Sequence, residues 1–276
     1  MSYAKLVKPG SKVKMRDFDP SDTAGLSKDD GLEKIAKLGE KVSKLQELHY
    51  AAGGNPILIV LQGPDTAGKD GTIRSIMQFM NPQSTRVASF KVPTPIELAH
   101  DFLWRIHQQT PAKGESVIFN RSHYEDVLVV RVHEIVPKEV WKERYAIINA
   151  FEDALVKSGT IVLKFYLCIS NDEQKERLIA RQEDPTKAWK LSVGDWKERK
   201  LWDDYMDAYD DLLERCSTDE APWRVVPANQ KWFRNLAVLE AIHDALKPHE
   251  EEWKAKLDKI GEAAMAEIVE FQKTAD

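Results

Sequence analysis

Two cysteines in 276 residues, Cys168 and Cys216, leave little room for a disulfide framework or a thiolate metal site. One falls in a strand-like run and the other in a helical pattern, so both are expected as buried thiols. No stretch of eighteen apolar residues occurs, which argues against a membrane-spanning helix. The first twenty residues, MSYAKLVKPGSKVKMRDFDP, lack the apolar run of a secretory signal, and the expectation is a soluble cytoplasmic protein with no membrane partner. A positive excess is also missing. The net charge of −5 argues against coating nucleic acid, so an anionic partner must meet positive charge that is concentrated locally. There is no internal repeat and no low-complexity tract. With 42% apolar and 31% charged residues, a chain of this length can bury one sizeable core, as in an α/β domain with insertions.

A polar arm rich in Gly and Asp comes first, over residues 1–30. Leu32, Ile35, Leu38, Val42, Leu45 and Leu48 then recur at helical spacing, predicting a helix over 31–52. After GGN, the continuous apolar run PILIVLQ (56–62) suits a strand buried on both faces of a parallel sheet. Similar runs follow at TRVASF, SVIFN, TIVLKFYLCI and WRVVPA. Helical patterns lie at 71–80, 95–110, 137–158, 171–183 and 194–216, so strand and helix alternate as in a doubly wound, three-layer αβα fold with five parallel strands. The expected divisions are the arm, a catalytic domain over 31–248 with a lid at about 171–200, and a charged amphipathic C-terminal helix over 249–276, for which a packing or oligomer contact is the simplest reading.

Gly63 to Lys69 matches G-x-x-x-x-G-K directly after one such strand and before a helix. Glycines let successive backbone N–H groups curl around phosphate oxygens, the helix N-terminus adds partial positive charge, and Lys69 adds a full one. The usual pattern continues with Ser or Thr, whose hydroxyl holds Mg²⁺ between the β- and γ-phosphates. This chain has Asp70 there. A carboxylate can replace the lost ligand, and Asp65 inside the loop is favoured as a metal ligand over a turn former. Asp70 reads equally well as a cap on the following helix.

A second cluster, VIFNRSHYEDVLVVRVH (117–133), sets Arg121, Glu125, Asp126 and Arg131 just past the carboxyl end of a strand, where ligands of open α/β sheets bind. Asn120 occupies the place of the usual metal-holding carboxylate, so Glu125 or Asp126 must supply that charge. Surface salt bridges, a helix-start role for the acids, and His123 as a general base are the alternatives. The third cluster follows the fourth strand, where kinase lids are inserted. It holds Arg177 and Arg181 on one helix face, with Lys187, Lys190 and Arg199 beyond; a solvated helix with Glu–Arg pairs is the competing reading.

Taken together these motifs resemble the polyphosphate kinase 2 enzymes, P-loop kinase-like proteins that move a phosphoryl group between inorganic polyphosphate and a nucleotide. The modified loop with Asp65, Lys69, Asp70 and Thr72, then FKVPTPIELAHDFLWRIHQQTP, FNRSHYEDVLV, the EQKERL lid, KAWKLS and APWRVVPANQKWFRN carry the likeness over most of residues 12–245. FNRSHYEDVLV, with Asn at 120 and the Glu-Asp pair after it, is similar to the group (class III) that accepts both AMP and ADP and can carry AMP to ATP in two transfers. The resemblance implies Mg²⁺, with Mn²⁺ able to substitute, held by Asp65 and completed by Asp126. It implies catalysis by Asp65, Lys69, Arg121 and Asp126. Polyphosphate would be bound by Lys69, Arg121, Arg131, Arg177, Arg181, Lys187 and Lys190. The nucleotide would be bound by Gly63, Gly68, Asp70, Thr72, Arg86, His100, Asp101 and Glu125. It further implies a homo-oligomer, dimer or tetramer, with AMP, ADP and ATP as partners beside polyphosphate. An ATP-dependent nucleoside monophosphate kinase and a non-catalytic phosphate- or nucleotide-sensing module are the alternatives, with a scaffold built on the final helix behind them.

Overall fold

The computed structural model describes residues 2–275 and, within them, all side chains but those of Lys187, Ala188, Lys190 and Ala275. A six-stranded sheet organises the chain. In chain order the strands are β1 (Lys5–Leu6), β2 (Ile57–Gln62), β3 (Thr85–Ser89), β4 (Ser116–Asn120), β5 (Ile161–Cys168) and β6 (Trp223–Pro227). Their spatial order is β1-β6-β5-β2-β4-β3. The last five strands run parallel, as expected. The sixth is an addition: β1, from the arm, pairs antiparallel with β6 through Lys5 opposite Val225 and Leu6 opposite Arg224. Two residues carry no alternation pattern, so the sequence holds no signal for this strand.

Successive residues of β2 serve different cores, because side chains on a strand alternate between faces. Leu58 and Val60 pack with α6 (Lys138–Lys157) and α9 (Trp202–Cys216) through Trp141, Tyr145, Ile148, Ala208 and Leu212. Ile57, Ile59 and Leu61 pack on the other face with α1 (Lys28–Ala51), α2 (Lys69–Ile76) and α10 (Lys231–Leu246) through Val42, Leu45, Ile76, Ala237 and Ile242. Three layers result. α10 was not among the expected elements, although Phe233, Leu236, Ala237, Leu239 and Ile242 mark a helical face.

Two expected helices are broken. The 95–110 pattern becomes α3 (Pro95–Leu98) and α4 (Trp104–His107); a capping box of Thr94 and Glu97 starts the first, and Asp101 Oδ1 accepts from Leu103 N between them. The 194–216 pattern divides into α8 (Val193–Arg199) and α9. The short α5 (Val129–Val132) precedes α6. α7 (Asn171–Glu183) begins at Ser170, whose side chain accepts from Glu173 N. The last element, α11 (Glu250–Ala275), roots itself through buried Trp253 and then leaves the body. Cys168 and Cys216 are free and buried, as expected. Among the described residues no helix is long and apolar enough to cross a membrane.

From β2 the chain winds to β3 and β4 on one side of the sheet and then crosses to β5 and β6 on the other. The carboxyl ends of β2, β4 and β5 therefore flank a topological switch point, where open α/β sheets place their ligands.

Candidate active site

At that switch point β2 ends at Gln62 and the loop begins. Gly63 has φ 151° and Gly68 φ 102°. A side chain at Gly63 would bring its Cβ within 2.8 Å of the Leu167 carbonyl oxygen, and one at Gly68 within 1.9 Å of an Arg234 nitrogen. Both positions need glycine. Thr66 and Arg121, each with φ 63°, hold left-handed backbone without that excuse, one in the loop and one just past β4. Such strain costs about 1–3 kcal/mol per residue and collects at functional sites.

Lys69 opens α2 and is 8% exposed. Its Nζ donates to Gly63 O at 2.6 Å and to Pro64 O at 3.1 Å, so the ammonium sits inside the curl of its own loop. Burial, with Arg121 adding to it, pushes its pKa down to about 8 against the pull of Asp65, Glu125 and Asp70. Thr72 is buried, and its hydroxyl donates back to Gly68 O at 3.2 Å.

Facing the loop, Arg121 links two acids. Nη2 donates to Asp65 Oδ1 at 2.6 Å and Nη1 to Glu125 Oε2 at 3.3 Å. Burial opposes its charge, but Glu125 and Asp65 outweigh that and hold its pKa above the ordinary value. Beside this group, Asn120 Nδ2 donates to Asp70 Oδ1 at 3.0 Å. Gly63, Pro64, Asp65, Arg121 and Glu125 line a cleft that is closed from the other side by Glu198, Tyr205 and Tyr209.

α7, where the expected lid begins, is fastened to the loop. Gln174 Nε2 donates to Asp65 O at 3.2 Å. Arg177 gives Nη1 to Thr66 O and Ala67 O, Nη2 to Ala228 O and Asn229 O, and Nε to Glu173. Across the cleft Glu198 Oε2, on α8, lies 2.9 Å from His133 Nε2 and accepts from Tyr205 Oη at 2.7 Å. Loop, strand-end arginine and the segment around Glu198 thus enclose one small space, in which Arg121 stands beside the carboxylates of Asp65, Glu125 and Glu198.

Residues 25–254 match the sequence profile of the family described as Polyphosphate kinase 2 (PPK2). The chain belongs to the polyphosphate kinase 2 family. It is 51% identical over 243 residues to an AMP/ADP-polyphosphate phosphotransferase of Meiothermus ruber, covering 87% of this chain and 91% of that one. It is 44% identical over 220 residues to an ADP-polyphosphate phosphotransferase of Rhodopseudomonas palustris, covering 75% and 76%. Among solved structures, polyphosphate kinase 2 from Arthrobacter aurescens superimposes with a TM-score of 0.83 at 45% identity, covering 90% of this chain and 92% of that one.

Within this polyphosphate kinase 2 fold, Gly63, Asp65, Gly68, Lys69, Asp70, Thr72, Arg121 and Glu125 come together around the loop. Others expected at the site lie elsewhere or are engaged elsewhere. Arg86 pairs with Val117 three residues before the end of β4, roughly 10 Å from the carboxyl edge at about 3.3 Å per residue, and its guanidinium is bound to Gln109 and to the Thr110 carbonyl. It holds a loop at the opposite edge of the sheet. Asp126 is half-buried against Arg144, whose Nη1 donates to its Oδ1 at 2.9 Å; burial raises its pKa in spite of Arg144. Arg131 is taken by Asp211 at 2.7 Å and lies over the Trp141 ring. Arg181 donates to Asp195 at 2.5 Å inside the lid. His100 stacks on Trp104 and bonds the Ile96 carbonyl, while Asp101 caps the turn into α4. The side chains of Lys187 and Lys190 lie outside the described residues.

His123 is fully buried with Nε2 3.1 Å from Glu152 Oε1, in a network where Lys164 Nζ donates to Glu152 Oε2, Tyr124 Oη and Cys216 O. Enclosed in this structural network, it does not reach the cleft as a general base would. Sequence reasoning passed over Arg234, a buried guanidinium behind Gly68 that donates to Ala67 O at 3.4 Å and whose pKa burial pushes down to about 10. Its place in APWRVVPANQKWFRN was visible; that the last segment returns beneath the loop was not.

Among the described residues no cluster of three or more His, Cys, Asp or Glu is placed to hold a metal ion by protein groups alone. Mg²⁺ is commonly held by one or two carboxylates with substrate phosphates completing the shell. Asp65, held by Arg121, and Asp126, held by Arg144, are both engaged by an arginine, and of the two Asp65 is the one at the mouth of the loop.

Proposed function

We propose that this chain transfers the terminal phosphoryl group of inorganic polyphosphate to AMP and ADP, giving ADP and ATP, by in-line attack without a phosphoenzyme. The observation that carries the reading is the loop itself: a phosphate-binding curl around Lys69 followed by a carboxylate rather than a hydroxyl, in a chain half identical to an AMP/ADP-polyphosphate phosphotransferase. Backbone N–H groups of the loop and the N-terminus of α2 cradle the donor's phosphates. Lys69 exchanges the carbonyls of Gly63 and Pro64 for oxygens of the transferred group. Arg121, already charged and aimed by Asp65 and Glu125, neutralises charge on the equatorial oxygens. Such preorganised charge is the main lever in phosphoryl transfer, which asks little proton abstraction of the protein.

Mg²⁺, or Mn²⁺ in its place, would supply further neutralisation of phosphate charge when bound by Asp65. Arg177 and Arg234 hold the loop from behind, and Arg177 acts here as a strut instead of a phosphate ligand. Lid segments from Asn171 to Lys200 exclude water that would otherwise hydrolyse the donor. Arg131, Arg181, Lys187 and Lys190 extend the basic path for polyphosphate, Arg131 and Arg181 by exchanging their present carboxylate partners for phosphates. His100 and Asp101 stand as acceptor-side candidates. The reading carries a cytoplasmic location and self-association of the chain. It is tested by following nucleotide formation from AMP with polyphosphate and Mg²⁺: ADP and then ATP are expected, and no product without ATP as donor would refute it.

A further inference from the structure

α11 continues for about six turns beyond the family match, which ends at residue 254, and carries an apolar stripe that starts in the core and is exposed from Ile260 onward. Trp253, 1% exposed beside His49 and Gly54, begins the stripe in the core. Leu257, Ile260, Ala264, Ile268 and Phe271 then recur three or four residues apart and so share one helix face. Along it, Ile260, Met265, Ile268 and Phe271 are 48–72% exposed. Gly261 lies on the same face with nothing within 4 Å of where its Cβ would be. A glycine in the interior of an exposed helix costs about 1 kcal/mol relative to alanine, and close backbone approach is what it permits in return.

Charge on this helix is divided along its length. Residues 254–260 hold Lys254, Lys256 and Lys259 against Asp258, while residues 262–270 hold Glu262, Glu267 and Glu270 with no basic residue. Lys254 already engages Glu250 and Glu251, and Lys256 donates to the Gly53 carbonyl, so Lys256 and Lys259 carry the first half's available charge. Lys273 reaches Glu270 beyond the acidic half.

From these features we infer that α11 is the docking surface for a second copy of this chain, packed antiparallel about a two-fold axis between Gly261 and Ala264. That arrangement sets the lysine half of each helix against the glutamate half of the other, whereas a parallel pair would set like against like. Gly261 and Ala264 meet at the centre, where the two backbones come closest, and Leu257 of each copy packs on Ile268 of the other. A two-fold contact of this kind is self-complementary and closed.

Light scattering on the full chain, alone and as the double variant Ile268→Glu, Phe271→Glu, tests the surface. Both side chains are exposed, so the catalytic core should keep its melting temperature and its turnover. The assembled mass should fall by half in the variant, to 31.5 kDa if α11 is the sole contact. A native chain that is monomeric at tens of micromolar, or a variant of unchanged mass, would overturn the proposal. Orientation is read by disulfide trapping: Leu257→Cys mixed with Ile268→Cys should cross-link, and self-cross-linking of Ile268→Cys alone would refute the antiparallel pairing.

Discussion

Asn120 donates through Nδ2 to Asp70 Oδ1 at 3.0 Å. In common P-loop NTPases a hydroxyl follows the loop lysine and an aspartate ends the strand beside the loop, and the two hold Mg²⁺ together. Here the acid follows the lysine and an amide ends the strand. One carboxylate of that pair remains, transposed from the strand end to the first turn of α2, and the amide fixes its orientation. A donor that is a polymer of phosphates, not a nucleotide gripped between its β- and γ-phosphates, is compatible with that exchange.

If the pair acts as a unit, its substitutions should not add. Asp70→Asn and Asn120→Asp are each expected to lose activity, the second by setting two carboxylates together. The double exchange restores one acid and one amide and should recover part of kcat/KM, with a coupling energy of about 0.5–3 kcal/mol. Strictly additive losses in the cycle would separate the two residues.

The depressed pKa of Lys69, about 8, has a sign that can be checked. In the ligand-free enzyme the ammonium loses its proton above that pH, so kcat/KM for polyphosphate should fall with an apparent pKa near 8. Lys69→Arg should flatten this limb even where it is slower overall. For stability the direction is opposite: the unfolded lysine keeps its proton to about 10.5, so the cost of burying the charge, fully present below pH 8, is relieved as pH rises from about 8 to 10.5. Lys69→Ala should lower turnover by about a hundred- to a thousandfold with little change in melting temperature. Equal loss of both would contradict its role.

Arg177 spends Nη1 and Nη2 on four backbone carbonyls that join loop, lid and the end of β6. Arg177→Ala leaves those acceptors without it and is expected to cost about 1–3 kcal/mol in denaturant unfolding, along with a loss of kcat as the loop loosens. A variant of native stability with only a raised KM for polyphosphate would make it a phosphate ligand instead.

Glu152 is buried between Lys164, His123 and Tyr124. Glu152→Gln strands the Lys164 charge and should destabilise by about 3–5 kcal/mol, measured by urea titration. Activity per folded molecule should persist; its disappearance would return His123 to the chemistry.

The parallel sheet, the three layers and the loop were legible because buried strands and a phosphate curl impose local patterns: five apolar runs, and glycines where φ 151° and φ 102° are needed. Arg121, Glu125 and Asp65 were legible as candidates from their place after a strand or within the loop. What a chain cannot display is which of its arginines face the cleft. Arg86 and Arg177 carry the same letter as Arg121, yet a glutamine or four carbonyls from distant segments claim them. Asp126 stands next to Glu125, yet Arg144 holds the one and Arg121 the other, since a 3₁₀ turn over His123–Asp126 sends adjacent side chains to different partners.

The central claim is tested most directly by incubating the protein with AMP, long-chain polyphosphate and Mg²⁺ beside a parallel reaction in which ATP replaces polyphosphate. ADP followed by ATP in the first reaction is the predicted result. ADP formed only with ATP as donor would contradict it, place the chain's activity with nucleoside monophosphate kinases, and leave the transposed carboxylate at Asp70 without a purpose.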